Sequence, residues 1–157
     1  MASIEESLRT SGIVLPALAA PAGLYQPAVQ TGEFIYTSGQ LPMVEGKLQE
    51  PGVKGSVHEN RQDEAAKAAR TAALNAVAAL RSAVGSLDRI SRIVKLTVYV
   101  SSETGFTNQH IVANGASSLI GEIFGEAGRH VRSAVGVAAL PLDASVEVEL
   151  VASCHPI

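Results

Sequence analysis

A long alanine-rich segment between residues 59 and 84 limits the folds open to this chain more than any other feature. Small apolar residues recur along it at helical spacing and Gly85 follows its end, so the pattern predicts a helix over 59–84. Because its packing face is mostly alanine, this helix can lie close against a sheet. That face consists of Ala65, Ala69, Ala72, Ala73, Ala76, Leu80 and Val84.

The rest of the chain alternates between extended and helical patterns. Residues 28–31 and 34–40, joined at Gly32, predict a hairpin, and residues 43–57 predict a loop with a short strand at 47–49. The later elements are a strand at 93–100, a helix at 113–124, and strands at 133–139 and 145–153. This order predicts an α+β fold, with one mixed β-sheet and two helices packed on one face.

The N-terminal segment has a different character. Ser3 with Glu6 forms a capping-box pattern and Gly12 offers a stop, so residues 4–11 predict a short helix. The proline-rich residues 14–23, called the arm below, are predicted to lie over the domain in irregular structure. We therefore divide the chain into two parts. Residues 1–24 form a short helix and the arm, and residues 25–157 form a single domain.

Composition excludes several classes of protein. The formal net charge is −3 and the cationic residues are scattered, which disfavours nucleic acid as a partner. A single cysteine, Cys154, cannot form an internal disulfide and favours a reducing cytoplasm. The start of the chain lacks the basic and long apolar regions of a secretory signal, and no apolar run approaches the ~18–20 residues that span a bilayer, so we expect a soluble protein without a membrane partner.

Sequence motifs for cofactors and metals are missing. The four histidines have no metal-ligand spacing, and none sits with Cys154 or an acid in a recognisable nucleophile arrangement. We therefore expect no metal and no cofactor. The chain is 46% hydrophobic but only 4% aromatic, so small side chains must fill its core. Such a core favours an oligomer, in which a neighbouring subunit contributes to stability. The histidines are His58, His110, His130 and His155.

Arg132 is the most informative charged residue. It stands at the head of a near-continuous apolar run, where a cation is costly unless an anion meets it. Either Glu147 or Glu149 neutralises it, or a ligand does, and the planar guanidinium suits a carboxylate because it can donate two parallel hydrogen bonds. Glu147 and Glu149 share a strand face, so alternation alone does not choose between them.

Two separated motifs resemble those of the RidA family, also called the YjgF or L-PSP family. The early motif is Tyr25 followed by the sequence FIYTSGQLP at 34–42, and the late motif is Arg132, an apolar strand, Leu140-Pro141 and a Val-Glu-Val-Glu strand. The resemblance covers roughly residues 24–153. It implies a chorismate-mutase-like fold and a homotrimer with ligand clefts between subunits.

The resemblance also implies roles for particular residues. Arg132 would hold a substrate carboxylate and Glu147 would lie beside the reactive water, with Glu149 left as an interface ion-pair partner. The remaining binding positions would be Tyr25, which closes one wall, Ser38 and Gly39, whose main chain meets the ligand, Asn114 in the cleft, and the backbone of Ala134, where relatives often have cysteine.

Each assignment has a structural alternative. Arg132 could pair with a nearby glutamate, both glutamates could be ordinary solvated strand residues, and Gly39 could mark a β-bulge. Tyr25 could be an ordinary half-buried tyrosine. Asn114 could be a helix N-cap. The preceding loop over 101–112 is longer than in compact relatives, which leaves the register of Asn114 open.

The function implied is hydrolysis of reactive 2-imino or enamine acids to 2-oxo acids and ammonia. The alternative from another class is a trimer that binds or senses a small carboxylate, such as a 2-oxo acid, without turnover. An endoribonuclease, an older label of the family, is disfavoured by the acidic balance and the missing basic groove. Gln26-Pro27 after Tyr25, the long arm and the long loop indicate a side branch whose substrate differs.

Overall fold

The computed structural model of the protein describes residues 2–18, 20–21, 23–48 and 52–156. Its helices are α1 (Ile4–Ser11), α2 (Gln62–Val84) and α3 (Gln109–Phe124), and its strands are β1 (Ala28–Thr31), β2 (Phe34–Thr37), β3 (Ile90–Ser101), β4 (Val131–Val137) and β5 (Val146–Cys154). Short 3-10 turns lie at Glu59–Arg61, Leu87–Arg89, Gly125–Gly128 and Pro141–Asp143.

The five strands form one mixed sheet in the order β1-β2-β5-β3-β4. The β3-β4 pair is parallel and the other pairs are antiparallel. Helices α2 and α3 pack on each other and on one face of this sheet, as the pattern predicts. No helix among the described residues is both long enough and apolar enough to cross a membrane.

Alternate residues of strand β5 point to the two faces of the sheet. Val146, Val148 and Leu150 are buried beneath the helices, whereas the alternate residues, Glu147 and Glu149, are half-buried on the opposite face, which is called the open face below. The alanines of α2 named above are fully buried against the helix-covered face. Small side chains therefore bring α2 close to the sheet, as expected from its composition.

Several of the predicted element boundaries needed correction. Strand β2 ends at Thr37 instead of residue 40, although Gln40 still pairs with Val148 in an isolated bridge. Helix α3 begins at Gln109, four residues before the predicted start, and β3 and β4 begin at Ile90 and Val131. The strand predicted at 47–49 is reduced to one bridge between residues 44 and 47, and residue 49 lies outside the described part of the chain.

Helix α1 matches its prediction at both ends. The Ser3 hydroxyl accepts a hydrogen bond from the Glu6 backbone at 3.2 Å, and Gly12 adopts a φ of 74°, which ends the helix in a left-handed conformation. The Glu5 carboxylate accepts hydrogen bonds from Arg81 Nε at 3.0 Å and from the Leu87 backbone at 2.9 Å. These contacts fix α1 at the C-terminal end of α2.

Two glycines of α3 make a matched pair for testing how closely the helices pack. A Cβ atom at Gly115 would lie 2.7 Å from the Ala66 carbonyl carbon of α2, whereas one at Gly121 would meet nothing within 4 Å. We expect Gly115→Ala to lower the free energy of unfolding by about 1–3 kcal/mol. Gly121→Ala should raise it by roughly 0.5–1 kcal/mol, because alanine favours helix. Denaturant unfolding at one protein concentration checks both, and equal effects would contradict the packing.

Candidate functional site

Glu147 lies on the open face with its carboxyl group against the backbone of Gly39. A Cβ atom on Gly39 would lie 2.8 Å from the Glu147 carboxyl carbon, so only glycine leaves room for this arrangement. Gly39 sits between the end of β2 and the bridge from Gln40 to Val148, which brings the two residues together. The alternative for Gly39 was a β-bulge. The strand pairing is interrupted over a short stretch at Gly39, and this interruption leaves space for the Glu147 carboxyl group.

The environment of Glu147 favours its protonated form. Partial burial raises the pKa of the Glu147 carboxyl, and the neighbouring charge of Glu149 raises that pKa further. Glu149 itself accepts a hydrogen bond from the Tyr99 hydroxyl at 2.9 Å, and this bond raises the pKa of Tyr99. Glu149 thus has a protein partner, while Glu147 faces a cavity.

That cavity has a volume of about 320 Å³. Glu147, Gly39 and Gln40 form part of its lining, and Tyr25, which is 52% exposed, lines it as well. Most of the remaining lining is apolar. These residues are Pro16, Ala17, Leu18, Ala20, Pro21, Pro27, Leu41, Met43, Pro141 and Leu142, with Glu45, Gly46 and Asn75 beside them.

Two polar side chains hold the chain around the cavity in place. The Ser38 hydroxyl donates to the Gln26 carbonyl at 2.6 Å, which ties the end of β2 to the segment that follows Tyr25. Asn75 of α2 donates to the carbonyls of Leu41 and Met43, both at 2.9 Å. Ser38 therefore positions the wall that carries Tyr25, and Asn75 is a supporting residue that the sequence analysis missed.

Arg132 lies on β4 and reaches helix α3. Its Nη1 donates to Asn114 Oδ1 at 2.8 Å and to Ser117 Oγ at 3.1 Å, and its Nη2 donates to the His110 carbonyl at 3.3 Å. Asn114 lies inside α3, whose N-cap is Asn108, so the N-cap alternative for Asn114 is wrong. The structure instead brings Asn114 to the guanidinium of Arg132.

His130 extends this group of hydrogen bonds. Its Nδ1 lies 2.6 Å from the Gly128 carbonyl, which only accepts, so Nδ1 carries a hydrogen. In the neutral imidazole Nε2 is then an acceptor for the Ser117 hydroxyl, at 2.9 Å. Ser117 is thereby oriented with a lone pair toward Arg132. His130 directly precedes β4 and lies two positions before Arg132, a spacing from which extended chain could have been predicted to place both side chains on one side.

Arg132 and Glu147 lie on opposite faces of the sheet in a single chain. Residues paired across neighbouring strands share a face of the sheet. Arg132 pairs with Leu96, which is buried beneath the helices, whereas Glu147 pairs with Tyr99 on the open face. Among the described residues Arg132 forms no ion pair, so the expected alternative of a pair with either glutamate is wrong within one chain. Ala134 lies on the same face as Arg132 and packs against the core.

The described residues contain no group of three or more histidine, cysteine or acidic side chains that could hold a metal ion. His58 is half-buried, and His110 and His155 are exposed. What the chain does present is two chemically different groups of residues. One is an acid in a largely apolar cavity, and the other is an arginine held by neutral oxygen atoms.

Gly39→Ala tests the contact between Gly39 and Glu147. The φ of Gly39 lies outside the left-handed region, so the added methyl group acts through the carboxyl group alone. We expect the flexible Glu147 side chain to move toward solvent, with the free energy of unfolding changed by less than about 1 kcal/mol. Carboxyl ¹³C NMR should then show a lower pKa for Glu147. In the Gly121→Ala control that pKa should be unchanged; an equal change in both would contradict the contact.

Comparison with known proteins places these features in a family. Residues 5–154 match the family described as "YjgF/chorismate mutase-like, putative endoribonuclease". Protein TCP17 of Trypanosoma cruzi is 46% identical over 93% of this chain and 91% of its own. The crystal structure of Atu1372, a protein of unknown function from Agrobacterium tumefaciens, is 41% identical, covers 97% of this chain and 92% of that chain, and has a TM-score of 0.86.

A third match carries a ligand. Escherichia coli TdcF, whose crystal structure has bound serine, is 27% identical, covers 90% of this chain and 96% of that chain, and has a TM-score of 0.60. These matches confirm both the resemblance noted in the sequence and the chorismate-mutase-like fold that it implied. The chain belongs to the YjgF/chorismate mutase-like family.

Proposed function

We propose that the protein hydrolyses 2-imino acids to 2-oxo acids and ammonia, in clefts completed between the subunits of a homotrimer. The observation that carries this proposal is the contrast between the two groups of residues. Glu147, with a raised pKa, faces an apolar cavity beside a bare glycine backbone, whereas the guanidinium of Arg132 has only neutral oxygen partners among the described residues, so no acid there compensates its charge.

Arg132 is suited to bind the substrate carboxylate. Asn114 Oδ1, Ser117 Oγ and the His110 carbonyl orient the guanidinium without neutralising it. A carboxylate can therefore supply the anion that a partly buried cation favours. The serine bound to TdcF supports a ligand of this kind, because serine carries a carboxylate next to a carbon that bears nitrogen.

Glu147 is suited to move protons between water and the imine. In the proposed reaction the imine nitrogen is protonated, and Glu147 accepts a proton from water as the water oxygen bonds to the imine carbon, which forms a neutral carbinolamine. Glu147 then returns that proton to nitrogen and accepts the hydroxyl proton as the carbon–nitrogen bond breaks. The carbonyl forms, ammonia leaves, and the proton passes from Glu147 to ammonia or solvent. A carboxyl pKa raised by burial suits both steps, because such a group can release the proton as well as accept it.

The open face supports assembly into a trimer. Five large apolar side chains are exposed on or beside this sheet in a single chain, and apolar patches of this sort mark interfaces. Packing copies around a three-fold axis would cover them. The proposed reaction requires in addition that Arg132 of one subunit face the Glu147 cavity of the next. These exposed side chains are Val29, Phe34, Tyr36, Val131 and Val135.

An assay for surviving imine tests the proposal. A pyridoxal-phosphate dehydratase generates 2-iminobutanoate or 2-iminopropanoate in place, and semicarbazide traps the imine that escapes hydrolysis. We expect the parent protein to reduce trapping, and Arg132→Ala and Glu147→Gln to lose that effect. Sedimentation velocity on the same samples tests the trimer. Equal trapping with and without the parent, together with binding of a 2-oxo acid that Arg132→Ala abolishes, would indicate a binding protein instead.

A further inference from the structure

The arm forms one wall of the Glu147 cavity. Of its described residues, Pro16, Ala17, Leu18, Ala20 and Pro21 all line this cavity. They lie more than a hundred positions from Glu147 in the sequence and on no regular element, so their convergence on one cavity is a property of the fold.

The first half of the arm is held against the domain. Helix α1 before it is fixed to the end of α2 through Glu5, and Ile13 and Leu15 pack against the hydrophobic core. Leu18 also lines a shallow hollow with Ala78 and Ser82 of α2, so it lies between that helix and the cavity. Two prolines, Pro16 and Pro21, restrict the backbone around it. The wall is therefore built onto the domain and is not a loose tail.

The chemistry of the lining indicates which part of a substrate it takes. The charged side chains that line the cavity among the described residues are Glu147 and Glu45, both acidic, so a substrate carboxylate is repelled from it. The arm contributes alkyl and pyrrolidine surface, and Leu41, Met43 and Leu142 continue that surface opposite. The carboxylate would be held by Arg132 and the imine carbon would meet Glu147, which leaves the substrate side chain to contact the arm.

We propose that the arm selects 2-imino acids with a large apolar side chain, of the leucine or methionine type, and that Leu18 is the specificity-determining residue of this wall. The assignment rests on the proposed function, since it names the substrate class for the same site. A cavity of about 320 Å³ is at the lower end of the size range of small-molecule pockets and exceeds the needs of a methyl side chain. Burial of apolar surface against the arm supplies the preference.

The test compares two imines in the full-length protein. An amino-acid oxidase with catalase generates the imine of leucine or of alanine, and trapping with semicarbazide gives kcat/KM for each. We expect the parent to prefer the leucine-derived imine, and Leu18→Ala to lower the ratio of the two kcat/KM values by about tenfold. Val14→Ala is the matched control, because Val14 belongs to the arm, is 79% exposed and does not line the cavity. It should leave the ratio unchanged.

Binding measurements separate failure of this inference from failure of the proposed function. Calorimetric titration with 4-methyl-2-oxopentanoate and with pyruvate needs no turnover. Weaker binding of the larger acid by Leu18→Ala supports the arm as the selective wall even if no imine is hydrolysed. A ratio of kcat/KM or of affinities that Leu18→Ala changes by less than about threefold would overturn the inference, even if the parent is an active hydrolase.

Discussion

Arg132→Ala should reduce imine hydrolysis by about 10³-fold while the protein remains folded. The guanidinium is expected to donate two charge-assisted hydrogen bonds to the substrate carboxylate, each contributing about 1.5–3 kcal/mol. Their loss removes both binding energy and the alignment of the imine carbon with Glu147. The partners left behind, Asn114, Ser117 and the His110 carbonyl, are neutral, so folding should change little.

Two further arginine variants make this result specific. Arg132→Lys keeps the charge but not the planar fork, so we expect an intermediate loss of kcat/KM. Arg129→Ala is the matched control, because Arg129 is exposed and lies 3.4 Å from Glu126, three positions earlier. It should remain within about twofold of the parent, as is usual for exposed ion pairs. Equal losses at Arg129 and Arg132 would indicate a general effect of charge and would contradict the assigned role.

The supporting residues of Arg132 are a weaker test of the same arrangement. Ser117→Ala removes one acceptor from the guanidinium and the link to His130. We expect KM to rise several-fold with a smaller change in kcat, because the carboxylate would meet a less well-oriented arginine. His130→Gln should behave similarly, since it removes the imidazole that orients the Ser117 hydroxyl. Steady-state kinetics on both variants measures the split, and a loss confined to kcat would contradict a positioning role.

The elements that could be predicted from sequence are those whose pattern is long and regular. The alanine face of α2 and the alternation of β5 each extend over many residues, and both elements were found close to their predicted bounds. The start of α3 was missed although Asn108 is of a residue type favoured at helix N-caps. Asn108 at the N-cap forms no capping bond, its side-chain amide donates to Gln62 instead, and the first turn holds no acid.

The candidate site was harder to predict because its parts come together through the fold. Alternation places Arg132 and Glu147 each on a face of its own strand, but the relation between the strands depends on their pairing with β3, which the sequence does not give. The sequence therefore grouped two residues that lie on opposite faces. The contact between Gly39 and Glu147 and the wall formed by the arm likewise join distant segments, for which no local pattern exists.

Glu147→Gln should lower kcat/KM by about 10²–10³-fold and remove its dependence on pH in the range where Glu147 titrates. In the parent, the ionised carboxylate is required as the base, so kcat/KM should rise with pH through the raised pKa of Glu147 and then level off. The amide cannot accept the proton from water. A pH–rate profile of both proteins, measured with the semicarbazide assay, checks the difference.

The raised pKa of Glu147 also affects the stability of the protein, which should fall with rising pH over the range in which kcat/KM rises. A folded-state pKa above the unfolded value of about 4.3 means that the native state binds the proton more tightly. This contribution to stability is fully present below that unfolded value and is lost as the pH rises through the raised pKa of the folded state. Glu147→Gln should therefore lose less stability than the parent across that window, which denaturant unfolding at several pH values measures.

Glu149→Gln separates the two causes of the raised pKa. Burial of Glu147 is unchanged in this variant, but the neighbouring negative charge is removed, and the glutamine oxygen can still accept the Tyr99 hydroxyl. We expect the rising limb of the pH–rate profile to move to lower pH, with activity retained above it, because Glu147 then ionises more easily. A limb that stays in place would mean that burial alone raises the pKa of Glu147. If Glu149→Gln abolishes activity as Glu147→Gln does, Glu147 is not the residue whose ionisation controls the reaction.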